Sequence, residues 1–465
     1  MQIKNCIPQA DDSYRSIKAL NPFSDAAAGG IVGATSAKDP NGATQIIVGT
    51  PTSLLLLNGT SWTVVGSGFS LVTNWEFTQF GSLVLAVAKG VDPQVMDLSV
   101  VSPTFSPVSG TPNNPSRASR VAVVRDFVVL GDLDAAPRTI QWSGYNNSAI
   151  WDLNGSTVYQ SDSQRLFTGG RVQKVVGGPF GYVFQEREIR SLEYVGPPVI
   201  FNIQTLTRDR GTPAPNSVVE TGDRVFFLAQ DGFFQLQGKQ FQPIGEERIN
   251  RWFAQECAPE EIVNVRGAVD RTNRIAMWAF SSVANNPFDR LLIYNYSVNR
   301  WSYAEASTSF IFESSRVAYN LDTLATVLTG GIDVDSIPVE SQAFLGGGLA
   351  VFGVNTSGQL GAFDGADLVA TLDTAEFDGT RNARRSINGV RPFVEGGANT
   401  SVSVSLGTRD LLNNHVSFSS ARNLNSIGEA PVLSDARYHR VRVQISGGFE
   451  HVNGVDVLSR PSGRF

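Results

Sequence analysis

The stretch 289–305, DRLLIYNYSVNRWSYAE, carries the question of the fold. An apolar run (Leu291, Leu292, Ile293, Tyr294) meets a small polar turn from Asn295 to Asn299, and Trp301 opens a second short run. Strand, polar turn, strand with tryptophan is the outline of a kelch-like propeller blade. The stretch 54–66, LLLLNGTSWTVVG, has the same outline, with Trp62 in the place of Trp301. Both tryptophans are expected to pack as core aromatics between adjacent blades.

Outward from these two hairpins the chain reads mostly as short strands. TQIIVG (44–49), SLVLAVA (82–88), RVAVVRDFVVLGD (120–132) and RVFFLAQDGFFQLQG (224–238) are rich in Val, Ile, Leu and Phe, and Gly, Asn and Asp separate them. Asn58-Gly59 and Asp231-Gly232 supply the positive-φ positions that tight hairpin turns require. Helical signals are few. The best is EERINRWFAQECAPEE (246–261), where Ile249, Trp252 and Phe253 share a face. Ala258-Pro259 breaks it, and Glu260 and Glu261 suit a fresh helix start.

A turn with a strand on each side recurs. Residues 40, 81, 126, 178, 222 and 272 mark it, spaced by roughly 40–50 residues, the period of propeller blades built from three or four strands. A further unit, GGLAVFGVNTSGQLGAFDG, starts at Gly347 after an irregular stretch, 306–340. The expected fold is all-β: a β-propeller of six or seven blades over residues 39–374. A series of β-sandwiches would also give short strands with regular turns. From about Phe377 the pattern changes to strongly alternating strands. In HRVRVQI (439–445), Val441, Val443 and Ile445 point one way and Arg440, Arg442 and Gln444 the other. Residues 375–465 are therefore expected to form a separate antiparallel β-rich platform module with an arginine-rich outer face. An N-terminal arm, 1–38, is expected to pack with it.

Composition sets further bounds. A chain of 465 residues with 42% hydrophobic content exceeds one ordinary core. The net charge of -6 is spread along the chain, which argues against a nucleic-acid reader with a basic face. Cys6 and Cys257 alone cannot build a disulfide framework or a thiolate zinc site. The first residues lack a signal peptide's apolar core, and no run reaches the ~18 apolar residues of a membrane span, so a soluble protein made in a reducing cytoplasm is expected. Of 37 basic residues only Lys4, Lys18, Lys38, Lys89, Lys174 and Lys239 are lysine. Arginine favours packed, bidentate contacts, so the bias fits extensive subunit contact; a GC-rich genome would produce it equally.

The sequence offers little chemistry. Its three histidines, His415, His439 and His451, all lie near the C-terminus. His439 and His451 could converge, but two imidazoles fall short of the three or four ligands of a zinc site. No metalloprotease helix, phosphate loop or nucleophile elbow is present. Glu246-Glu247, Glu260-Glu261 and Asp231 are weak evidence for glycosidase work, and the Asp-box turns of sialidase propellers are absent. RDRGTPAP (208–215) reads as a rigid charged loop or a subunit contact. No catalytic, cofactor or metal residue is assigned, and interface and lumen residues stay unassigned.

Several stretches carry a resemblance: RVAVVRDFVVLGD, FGYVFQEREIRSLEYVGPPVIF (180–201), RGTPAPNSVVETGDRVFFLAQDGFF (210–234), PIGEERINRWF (243–253) and the opening DRLLIYNYSVNRWSYAE. Across roughly 119–305, in order and texture, the chain resembles the tail nozzle, tail hub or DNA stabilisation proteins of short-tailed phages. The resemblance implies a structural virion protein assembled in the host cytoplasm: a homohexameric ring below the tail adaptor ring that extends and closes the DNA channel for retention and ejection of the genome. Duplex DNA would pass through the lumen without specific binding, which suits a neutral to acidic lumen. Tail fibres or spikes stay open as partners; membrane insertion, cofactors and catalysis are not expected. Two rivals are a carbohydrate-binding receptor-recognition propeller and a kelch-like intracellular interaction module.

Overall fold

The computed structural model describes residues 2–153, 157–315, 349–378 and 383–464. Regular structure is nearly all strand. Among the described residues the helical elements are one α-helix, Asn250–Glu256, and two 3-10 turns, Pro215–Ser217 and Pro259–Asn264. Phe253 is the buried residue of the α-helix, and Pro259 opens the second 3-10 turn with Glu260 and Glu261 in its first turn.

The chain divides into two compact units. The larger comprises Pro22–Asp289 and Ser307–Ala362; the smaller comprises Met1–Asn21, Arg290–Ala306 and Phe363–Phe465. The expected divisions at 38 and 374 thus fall at 21 and 362. Strand pairing is the reason. Asn21–Ala26 and Gly33–Lys38 are strands of sheets in the larger unit, whereas Ala370–Asp373 pairs with Tyr438–Ser446 in the smaller.

The larger unit is built of propeller-like antiparallel sheets. The first contains Gly33–Lys38, Thr44–Gly49, Ser53–Asn58 and Ser61–Ser67. The second contains Glu76–Phe80, Leu83–Val87, Gln94–Asp97 and Ser106–Pro107; the third, Ala118–Val124, Phe127–Leu133, Ala136–Trp142 and Asp162–Arg165. The fourth runs Val172–Val176, Gly181–Gln185, Ile189–Gly196, Ile200–Thr207, and the fifth Val219–Glu220, Arg224–Ala229, Gly232–Gln237, Gln240–Pro243. Arg266–Asp270 and Ile275–Phe280 pair next. A last sheet joins Phe310–Ser315, Leu349–Val354 and Gln359–Ala362 to Asn21–Ala26 from the start of the chain. Each of the six turn markers lies between the first and second strand of its sheet. The expected unit start at Gly347, and the irregular stretch beyond residue 315, lie outside the described residues.

Neighbouring sheets bury apolar side chains face to face. Phe127, Val129 and Trp142 of the third sheet pack with Val172, Val183 and Leu192 of the fourth. Ile46, Val48 and Leu55 of the first pack with Phe310, Phe352 and Leu360 of the last. Trp62 joins that layer, and its indole N–H donates to the Asp25 carbonyl at 2.9 Å, so it lies between two sheets as expected. Trp75 is buried against the backbone of the first sheet, where its N–H donates to the Thr50 carbonyl. A Cβ at Gly49 would come within 2.2 Å of the Trp75 ring, and one at Gly33 within 2.5 Å of its Cβ, so both positions must be glycine for that approach.

The opening stretch forms a hairpin of Phe288–Asn295 and Arg300–Thr308, but nearly all of it belongs to the smaller unit. The N-terminal residues pair with it. Lys4 pairs in parallel register with Tyr303, Asn5 N–H donates to the Tyr303 carbonyl, and Ser302 Oγ donates to the Cys6 carbonyl at 2.6 Å. Trp301 is buried and stacks on Tyr294 of its own hairpin, with ring centroids 4.4 Å apart.

The rest of the smaller unit holds two sheets. In one, Ile3–Lys4 pairs with both Arg300–Thr308 and Ala370–Asp373, which continues through Tyr438–Ser446 to Ser401–Arg409. In the other, the hairpin Cys6–Pro8 and Tyr14–Ser16 adds to Phe449–Arg464, which pairs along its length with Ala383–Gly396. Their shared core includes Cys6, Ile387, Val404, Val441, Val443 and Ile445. The alternation in HRVRVQI therefore reads correctly, with the valines and isoleucine inward. The arginine face is occupied. Arg442 is bidentate to Asp373 and lies 3.8 Å over Phe418, and Arg440 reaches Glu376 at 3.7 Å. Both cysteines are free and buried, and burial pushes the Cys257 thiol up to about 12.

Candidate functional site

Among the described residues, the first strands of the seven sheets of the larger unit line one cavity of about 680 Å³. Around it Gly33–Lys38 neighbours Glu76–Phe80, which neighbours Ala118–Val124, which neighbours Val172–Val176. Val219–Glu220, Arg266–Asp270 and Phe310–Ser315 follow, and Phe310–Ser315 adjoins Gly33–Lys38. Each of these strands is the edge strand at the cavity end of its sheet, and consecutive residues of each line the space.

Apart from the exposed Lys38, the charged lining residues form two groups, and Arg120, outside the lining itself, joins the first. In the first, Glu76 is nearly buried and holds two cations: Arg120 Nη1 at 3.1 Å from one carboxylate oxygen and Lys174 Nζ at 3.1 Å from the other. Arg266 stands beside them. Its Nη2 donates to Asn74 Oδ1 at 2.8 Å, and its guanidinium lies 3.9 Å over the Phe310 ring. Burial pushes Arg266 down to about 9, and the neighbouring Arg120 charge acts in the same direction, so it stays cationic at neutral pH.

In the second group, Glu313 meets Arg271 Nε at 2.9 Å, and Glu220 lies nearby. Burial pushes the Glu313 carboxyl up to about 7, against the pull of Arg271. Burial likewise raises Glu220, opposed by Arg271 and Lys174. The folded protein thus keeps a proton on Glu313 at pH values where the unfolded chain has released it. Between about pH 4.5 and 7 stability should fall as pH rises, by up to roughly 3 kcal/mol, and level off above that window. Denaturation midpoints across pH 4.5–8 test this against Glu313→Gln, which should flatten the slope. An equal slope in the variant would assign the effect elsewhere.

The residues singled out from the sequence lie elsewhere. His439 is buried in the smaller unit, with Nε2 3.0 Å from the carbonyls of both Arg385 and Ala436, and burial lowers its pKa. His451 lies on the other sheet, 3.2 Å from Ser13 Oγ, and His415 is exposed. No metal-binding group of three or more His, Cys, Asp or Glu occurs among the described residues. Glu246, Glu247 and Glu260 are exposed, and Glu261 accepts from Asn285 N–H and Asn264. Asp231 pairs with Arg210, which also lies over Phe234, and Thr212 Oγ1 donates to the Leu228 carbonyl. These bonds tie RDRGTPAP to the hairpin of Arg224–Ala229 and Gly232–Gln237.

Glu76, Arg120, Lys174, Arg266 and Glu313 belong to no recognisable catalytic or binding motif in the sequence. Their common signal is position. Glu76, Arg120, Lys174 and Arg266 each stand in an inner strand four to six residues ahead of its marker turn, inside or beside an apolar run.

No protein-family model matches the chain. No curated protein matches it either. Among solved structures it is similar to the extracellular domain of a putative one component system from B. thetaiotaomicron. The two are 11% identical, with a TM-score of 0.41, over 90% of this chain and 48% of the other. The chain therefore spans about half the length of that protein, and the likeness is too loose to carry residues across.

Proposed function

We propose that this chain is the tail nozzle subunit of a short-tailed phage, a structural protein that closes into a homohexameric ring below the adaptor and extends the DNA channel. In this reading the larger unit is a seven-bladed propeller. Its seven sheets, the adjacency of their first strands around one cavity, and the completion of the last sheet by Asn21–Ala26 all support that count. The smaller unit is the platform for subunit and adaptor contacts.

The observation that best supports the assembly is a set of exposed apolar side chains on the smaller unit. Phe393, Leu411, Leu412, Ile427, Leu433 and Leu458 are all exposed, Leu433 by 80% and Ile427 by 65%. Exposed aliphatic and aromatic side chains in such number suit burial against another protein surface. Ring geometry then requires a heterologous interface that closes by rotation. The low lysine content and the net charge of -6 fit a tightly contacted ring whose lumen does not grip DNA. Tail fibres or spikes would be further partners of the ring, and no catalytic step is assigned to it.

Native mass spectrometry and negative-stain imaging, with and without the adaptor, test the reading. A six-fold ring with a central hole is the expected result, and Leu433→Asp with Ile427→Asp should shift it toward monomer. A wild-type chain that stays monomeric with the adaptor present would overturn it. That outcome would favour a carbohydrate-reading propeller, for which a glycan array is the next measurement.

A further inference from the structure

The first charge group of the cavity is unbalanced. Arg120, Lys174 and Arg266 surround the single carboxylate of Glu76, and both oxygens of that carboxylate are already engaged. The Val121 N–H also points at Glu76 Oε1, at 3.4 Å. Among the described residues Arg266 has no carboxylate within ion-pair distance; its partners are the neutral Asn74 amide oxygen and the Phe310 ring. Asn74 Oδ1 is itself shared, since Asn216 Nδ2 also donates to it at 3.4 Å. A second sign of an unfilled acceptor role is independent of Arg266. Arg120 Nε is buried and has no hydrogen-bond partner.

Such a group is costly to maintain unless something offsets it. Like charges confined between low-dielectric walls repel, and a buried donor without an acceptor forfeits its hydration. Neither of the other lining carboxylates, Glu220 and Glu313, is within ion-pair distance of Arg266 or Arg120 among the described residues. Glu313 is committed to Arg271, and burial raises both carboxyls. The cavity of about 680 Å³ lies within the range of small-ligand sites.

We propose that the Glu76 end of the cavity binds a small oxyanion, a phosphate or a carboxylate, through Arg266 and Lys174, with Arg120 adding to the field. A guanidinium has five N–H donors in a planar fork, and Asn74 takes one. The remainder suit two oxygens of one anion, a geometry that a halide cannot match. Phe310 covers one face of the guanidinium and fixes its plane. This site belongs to a single chain and does not depend on ring assembly.

Titration calorimetry of the purified full chain with inorganic phosphate, acetate and chloride at matched ionic strength tests the site. Binding of phosphate over acetate assigns a phosphoryl group, and the reverse assigns a carboxylate; either supports the proposal. Affinity for the preferred anion should fall about tenfold or more in Arg266→Gln, as expected for the loss of a charged hydrogen-bonding partner. Lys174→Gln, at a more exposed position, should weaken binding as well and serves where Arg266→Gln does not fold. Failure of both oxyanions to bind below ~10 mM would overturn the proposal. So would wild-type affinity in the folded variants, or binding of chloride as tight as that of either oxyanion.

Discussion

Replacing Trp278 by alanine should cost about 5 kcal/mol, the upper end for truncating a buried aromatic ring. Trp278 is fully buried in the larger unit, where Ile275–Phe280 packs toward the fifth sheet. Its ring centroid lies 4.9 Å from that of Phe233, and its N–H donates to the Ser217 carbonyl at 2.9 Å. The backbone beside it has no slack. A Cβ at Gly267 would sit 3.1 Å from Trp278 Nε1 and 2.6 Å from Val219, so the surrounding chain cannot collapse freely into the void. Trp278→Phe separates the contributions: it keeps most of the ring contact, strands the Ser217 carbonyl, and should cost about 1–3 kcal/mol. Chemical denaturation of the larger unit's transition is the measurement. A loss below ~2 kcal/mol for Trp278→Ala would show that the two sheets do not depend on this ring.

Neutralising Glu76 should be nearly as damaging. In Glu76→Gln Arg120 and Lys174 would lose the carboxylate that pairs them, and removing one member of a buried ionic cluster commonly costs about 3–5 kcal/mol. The expected loss is smaller in the double variant Glu76→Gln with Lys174→Met, because one unpaired cation goes with the anion. Added phosphate should stabilise Glu76→Gln more than the parent, since the variant has lost its internal counter-charge. Equal denaturation midpoints for parent and Glu76→Gln would mean that the cluster is wet enough for water to replace the carboxylate.

These two positions show which parts of the fold were legible. Turn chemistry was strongly local. Gly59 and Gly232 adopt positive φ, 62° and 126°, in the hairpins that Asn58-Gly59 and Asp231-Gly232 announced. Residues 40, 81, 126, 178, 222 and 272 all fell in the turn after a sheet's first strand, because that turn recurs once per sheet. The two-residue alternation of Val441, Val443 and Ile445 likewise told which face is inward, since a strand offers only two faces.

What the sequence by itself determined, then, was what depends on residues near one another in the chain: an all-β composition, hairpins, a repeat and a distinct C-terminal pattern. Only the tertiary structure decided pairings between distant segments. It placed Asn21–Ala26 beside Gln359–Ala362, and it tied Lys4 to Tyr303. It also gathered Glu76, Arg120, Lys174 and Arg266 from three successive sheets and a fourth far along the chain into one charged cluster. Each is an ordinary charge in its own strand. Their coupling exists only because the first strands converge, and charge interactions in a confined, poorly solvated space depend on distance through space, not along the chain.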